Sequence, residues 1–388
     1  MAACIILGWS LHGCRFQRLD KMAKLGLYCI LAFLGIAFLS ATQTIDSRYT
    51  DFYMGNMWKI VLMAVIALAL LDTPQKIWLA LLAVGFAQGY SAFRINEEYF
   101  QDGFCRYAFR DWGYKGDNNL YSNLTIPLLA AVMSISVYAD KNAKLRFFAG
   151  TVAVLQIHQI MLLQSRGAML GGIVMLLLFA WWMPKNRFTI RGSIAAGIAI
   201  IALAGPSVVD EFSSSFETED NRDSSASSRI HLWKAGWAIT WDNPGLGVGP
   251  YAGQVMVPKY YQGEGLPAGI YAKGLHNLPL EISTGVGVPG AVAYLLFYLI
   301  PIYCCWKIHK QHSSIPPTVR AVALAILSGI PGYLTGSFFS SGALLEEPYL
   351  LCVLGLAASS IMLRQPQFYS IPSINETGTF TPRSPSPV

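Results

Sequence analysis

Apolar residues in this chain gather into about ten blocks, each long enough to cross ~30 Å of hydrocarbon as a helix. They fall near residues 25–41, 57–72, 76–93, 121–139, 147–164, 167–183, 192–209, 283–305, 320–340 and 345–363. With 54% hydrophobic and only 13% charged residues over 388 positions, this argues for an all-α polytopic membrane protein rather than a large soluble core.

Lysine and arginine orient the blocks. With the N-terminus in the cytoplasm, the inside segments hold Arg15, Arg18, Lys21 and Lys24, then Lys76, then Lys141, Lys144 and Arg146. Lys185, Arg187 and Arg191 follow, then Lys307, Lys310 and Arg320, and finally Arg364. Basic inside loops are what the positive-inside rule expects, so the net charge of +6 is an orientation signal and calls for no nucleic acid. The chain thus divides into a cytoplasmic N-terminus (1–24), seven transmembrane helices (25–209), an outer loop (210–277), three more helices (278–363) and a Pro-, Ser- and Thr-rich tail (364–388) expected to be disordered. Residues 3–9 are apolar but too short to span, and no convincing cleavage site follows them.

The seven cysteines suggest no disulfide framework. Cys29, Cys304, Cys305 and Cys352 lie in or beside membrane segments, Cys4 and Cys14 lie at the cytoplasmic end, and Cys105 is outside without a partner. The adjacent pair Cys304 and Cys305 lacks metal-site spacing, and no histidine pair with Asp or Glu at helical spacing supplies one, so neither metal nor cofactor is expected.

Two outer loops are sizeable. The first, 94–120, sets Arg106, Arg110, Lys115, Asp111 and Asp117 among aromatics. The second opens with a Ser- and acid-rich run, 213–228, and then predicts a helix over 228–241, closed by Asp242-Asn243-Pro244-Gly245. Trp233, Trp237 and Trp241 share one face of that helix, which either lies on the outer membrane surface or packs on other helices. Gly245-Leu246-Gly247-Val248-Gly249-Pro250 resembles a phosphate loop only superficially. No strand precedes it and no Gly-Lys-Ser/Thr closes it, so a tight turn back to the membrane is expected.

Three charged positions call for an explanation. Arg166 sits between two apolar segments on the outside, where orientation disfavours arginine and burial costs about 2.5–3.5 kcal/mol on insertion scales. An anion such as a diphosphate, gripped bidentately, would offset that cost; snorkelling to headgroup phosphates is the alternative. Arg229 starts the predicted outer helix. His276 stands at the outer membrane boundary, just before Asn277 and the glycines 285, 287 and 290, whose backbone other groups can approach closely. Its ordinary pKa leaves the neutral base well populated at neutral pH, so it could take a proton from a hydroxyl, although the histidine taken alone, without the neighbouring pattern, reads as structural. Glu281 could orient the imidazole or balance the pocket's charge. His158, inside an apolar helix, reads as a buried hydrogen-bonded residue, and His231 is a weaker candidate base.

Together these residues resemble the O-antigen ligase and polymerase superfamily of bacterial envelope proteins. Arg166 to Leu170 fits that family's Arg-x-x-x-Leu element, and His276-Asn277, nine residues, then Gly287-Val288-Pro289-Gly290 fits its histidine element without a gap. The resemblance covers most of residues 110–300. It implies metal-independent, inverting transfer of a glycan from undecaprenyl diphosphate to an acceptor hydroxyl at the periplasmic face of the bacterial inner membrane. The acceptor would be another glycan, lipid A core or a protein. His276 would be the base, Arg166 and Arg229 the diphosphate clamp, and Arg110, Asn277 and Glu281 would give support. The chain departs from the family in a short N-terminus, about two fewer spans than usual and a fairly short outer loop. Ligase and polymerase differ in acceptor and are hardly separable by sequence. A transporter of lipid-linked sugars, the alternative from another class, predicts mid-bilayer charges and an internal repeat; no clear repeat is visible, and the informative charges lie in outer loops.

Overall fold

A computed structural model of the chain describes residues 10, 19–108, 117–139, 142–203, 224–262, 266, 269–311 and 315–364. Arg110, the short apolar segment 3–9, most of the Ser- and acid-rich run and the tail beyond 364 lie outside the described residues. Among the described residues the secondary structure is helical. In chain order the helices are α1 (Lys21–Ala41), α2 (Ser47–Leu70), α3 (Pro74–Phe86), α4 (Gly89–Asp102), α5 (Asn118–Tyr138), α6 (Ala143–Leu162) and α7 (Arg166–Trp182). They continue as α8 (Arg187–Leu203), α9 (Ser224–Asp242), α10 (Gly253–Tyr260), α11 (Leu278–Lys310), α12 (Pro317–Ser337) and α13 (Glu346–Arg364).

The chain is a polytopic membrane protein. Seven stretches are long and apolar enough to cross a bilayer: α1, α2, α3 with α4, α5, α6, α11 and α12; α7 is apolar but shorter. Large apolar side chains such as Phe147, Leu177, Trp181 and Ile198 point outward, as a lipid-facing surface requires. Polar residues in the short connections start the helices. Asp20, Asp46, Thr73, Asp117, Asn142 and Asn277 each accept a hydrogen bond from a first-turn N–H of the helix that follows.

Successive long helices run in opposite directions, so the bundle has two ends. At one end, Asp20 before α1 accepts hydrogen bonds from Ser359 and Ser360 near the end of α13. At the other, the α1–α2 connection meets the loop after α9, where the Ile45 N–H donates to the Val248 carbonyl at 3.0 Å. α12 lies at the centre, packed against α5, α7, α11 and α13. It crosses α7 at backbone distance: a Cβ added to Gly171 would sit 2.5 Å from the Gly332 carbonyl oxygen. Small residues at such a crossing let helices approach without a driving force from water. The interior is not wholly apolar. Thr125 donates to Gln88 at 2.7 Å and accepts from Gln159 at 2.8 Å, while fully buried His158 meets Asn96 at 2.6 Å.

Candidate active site

At 1.5 Å per residue the 33 residues of α11 would reach about 50 Å if straight, well beyond the hydrocarbon thickness. The helix is broken instead. Gly287 adopts φ 71° and ψ 178°, which separates a short head, 278–286, from the spanning remainder. Backbone groups exposed by the break are met by the glycine-rich loop after α9: Val248 N–H donates to the Thr284 carbonyl at 3.0 Å, Gly249 N–H to the Gly285 carbonyl at 3.1 Å, and Val288 N–H to the Pro244 carbonyl at 2.8 Å. The approach needs glycine on both sides. A Cβ on Gly287 would lie 2.2 Å from the Gly245 oxygen, and one on Gly247 would lie 2.5 Å from the Gly285 carbonyl. The loop that the sequence marks as a tight turn therefore also clasps the helix that follows the histidine.

His276 immediately precedes the cap of this head and has φ 48°, in the left-handed region. Gln164 (φ 53°) and Tyr251 (φ 63°) are the other non-glycine residues with positive φ among the described residues, and all three lie at this end of the bundle. Such a conformation costs on the order of 1–3 kcal/mol and persists only where the surroundings over-determine it. Asn277 does much of that. Its Oδ1 accepts from the Leu280 N–H at 3.0 Å and its Nδ2 donates to the Phe338 carbonyl at 3.0 Å, tying the residue beside His276 to the turn after α12. Upstream, the Lys273 N–H donates to the Gln254 carbonyl, and the Tyr271 hydroxyl donates to Asp46. Asp46 also pairs with Arg48 at 3.0 Å, and that guanidinium lies 4.8 Å from the centre of the Tyr271 ring.

Arg166 begins α7, at the same end as His276. The turn before it is held by the segment that caps α5: Ser165 donates to Asn119 at 2.9 Å, and Asn118 donates to the Leu163 carbonyl at 2.9 Å. Arg229, half-buried in the second turn of α9, is electrostatically coupled both to Arg166 and to His276. Burial, then the nearby Arg166 charge, lowers the Arg229 pKa, while Asp117 opposes both. Burial, then Arg229 and Lys273, pushes the His276 imidazole below its ordinary value, and Asp117 again opposes. The three candidate residues thus share one electrostatic neighbourhood, with Asp117 as its counter-charge. Two guanidinium groups that act on each other, one of them also acting on a half-buried imidazole, form an environment in which an incoming anion gains more than it would in water.

Glu281 is buried in the first turn of α11. With Tyr251, Gln254, Gly274 and Thr284 it lines a cavity of about 10 Å³, space for roughly one water. Burial and the Glu281 charge together push the Tyr251 phenol well above its usual pKa. A larger apolar groove of about 410 Å³ reaches the first turn of α11, walled by Trp237 and Trp241 of α9, Leu278, Pro279 and Val292 of α11, and Phe338. The tryptophan stripe divides around it. Trp233 packs on Phe339 with ring centres 5.7 Å apart, while Trp237 and Trp241 stay 61% and 55% exposed and meet edge to face at 5.6 Å. Among the described residues no group of three or more His, Cys, Asp or Glu is placed to hold a metal ion.

The Asp46–Arg48–Tyr271 clasp escapes sequence reasoning. Asp46 before Ser47 reads as a helix cap, but its tyrosine partner is 225 residues away. Asp117 is visible as the start of a polar run, and its action on Arg229 and His276 is not.

Residues 151–295 match the protein family described as O-antigen ligase, a segment that contains Arg166, Arg229, His276 and Gly287. No curated protein matches the chain.

Proposed function

We propose, on the match of residues 151–295 to the O-antigen ligase family, that the chain moves a glycan from undecaprenyl diphosphate to an acceptor hydroxyl, at the periplasmic face of the bacterial inner membrane. The observation that supports this reading is a left-handed, half-buried His276 on which the Arg229 charge acts, as the Arg166 charge acts on Arg229, with an apolar groove that reaches Leu278 two residues on. An apolar groove of this kind suits a polyprenyl tail, and two guanidinium groups suit a diphosphate.

In this mechanism the neutral imidazole of His276 takes the proton of the acceptor hydroxyl as its oxygen forms a bond to the anomeric carbon. The bond from that carbon to the diphosphate oxygen breaks in the same displacement, which inverts the anomeric centre. The electron pair leaves with the lipid diphosphate, and Arg166 and Arg229 stabilise the charge that develops there without reorganising. A lipid diphosphate is already activated, so the chemistry calls for neither nucleotide nor metal. Asn277 supports the site by holding the backbone on which the base sits, and Glu281 supports it from the small polar cavity behind.

His276→Ala, assayed with lipid diphosphate-linked glycan in proteoliposomes, is expected to lower transfer by about 10²–10⁴-fold while insertion and thermal stability are kept. Full activity in that variant removes the catalytic assignment. Arg166→Lys keeps the charge and loses the fork, and is expected to lower transfer by about tenfold or more. Wild-type turnover there would favour simple snorkelling.

A further inference from the structure

A second cavity, of about 310 Å³, lies at the other end of the bundle. Its walls are the C-terminal ends of α5, α7 and α11, the first two turns of α12, and residues 183–185, 311 and 315. The 17 residues of α7 put it about 25 Å along the helix axis from Arg166, so it belongs to the opposite face of the membrane. Lys185, His309 and Arg320 line it from three different segments, together with Trp181, Trp182 and Gln311. None of the described lining residues is acidic. Lys185 caps α7 by donating to the Ala180 carbonyl, and His309 meets the edge of Trp182 at 5.0 Å between ring centres. Elsewhere on the last turns of α11, Lys310 lies 3.8 Å over Trp306 and Lys307 lies 4.6 Å over Tyr303.

Orientation alone explains why this end is basic. It does not explain why an arginine, a lysine and a histidine from separate segments surround one cavity that also has indole walls. Indoles settle at headgroup depth, and basic pockets between spanning helices accept lipid phosphates. The N-terminus of α12 adds the positive end of a 21-residue helix dipole. Arg320, in that first turn, has the planar fork that a phosphodiester matches. We propose that this cavity binds the headgroup phosphate of an anionic phospholipid from the leaflet opposite the candidate active site.

The test uses the full chain in detergent, loaded with phosphatidylglycerol or phosphatidylcholine, with retained lipid counted by native mass spectrometry. Wild type is expected to retain phosphatidylglycerol in preference to phosphatidylcholine. In Lys185→Gln and Arg320→Gln, each lost charge is expected to weaken retention about fivefold. Lys259→Gln, an exposed cation outside the cavity, is expected to leave it unchanged. Equal retention of both lipids, or unchanged retention in the cavity variants, overturns the proposal. So does displacement of phosphatidylglycerol by millimolar inorganic phosphate, since the site would then be one for free anion. If the Gln variants fail to fold, Arg320→Lys keeps the charge without the fork and is expected to retain less lipid; wild-type retention in that variant also overturns the assignment.

Discussion

The surroundings of His276 favour its neutral form. Burial, Arg229 and Lys273 all disfavour the imidazolium, and only Asp117 favours it. The acid limb of the pH–rate profile is therefore expected below the ordinary histidine value of about 6.5, with full activity across neutral pH. Arg229→Gln removes a cation that disfavours protonation, so it should raise the histidine pKa and move that limb to higher pH, besides weakening donor binding. Asp117→Asn should move it the other way. Profiles of kcat/KM for both variants check the sign. At this scale the sequence exposes residue types and hides conformation. An arginine and a histidine at membrane boundaries stand out because they cost energy there. The left-handed backbone of His276, and the carboxylate of Asp117 acting across 159 residues, depend on contacts that no local pattern encodes.

Two elements meet at the break in α11. Spacing of Gly285, Gly287 and Gly290 announces a backbone that something approaches, and the structure identifies the visitor as the loop after α9. Gly287→Ala would combine a left-handed φ with a Cβ against the Gly245 oxygen, so it is expected to destabilise by more than about 2 kcal/mol. Gly35→Ala offers the contrast: no atom lies within 4 Å of its Cβ, and in a helix interior the change should be neutral or stabilise by up to about 1 kcal/mol. Melting temperatures of the two purified variants separate these outcomes. The clasp of Tyr271 on Asp46 belongs to the same scale, because it ties the strand of chain before His276 to the start of α2. If His276 is the base, Tyr271→Phe should lower kcat by about tenfold with little change in KM for the proposed donor, since small displacements of a base are costly. The tryptophan helix shows where periodicity stops being informative. Spacing of four puts three indoles on one face, but only packing against Phe339 decides that Trp233 turns inward while its neighbours remain outside.

For the whole molecule, the long apolar blocks made an all-helical membrane fold legible, because a bilayer imposes a length on every segment that crosses it. A helix lies on each of the ten marked segments, as far as Leu203 in the seventh, and seven stretches reach spanning length and hydropathy. The order in which helices pack was not legible, since backbone-close crossings such as Gly171 with Gly332 arise from three-dimensional fit. Orientation is open to direct measurement. In an otherwise cysteine-free chain, Lys259→Cys near the candidate active site should react with an impermeant maleimide in cells whose outer membrane is opened. Lys144→Cys, at the other end, should react only after lysis.

The groove beside Leu278 is bordered by indoles and aliphatic side chains that are exposed on the surface of the bundle. A ligand whose tail occupies it arrives by lateral diffusion, so its concentration is counted per phospholipid and not per litre. Diluting the membrane with inert lipid at constant bulk donor should therefore slow turnover, whereas diluting the vesicles in buffer should not.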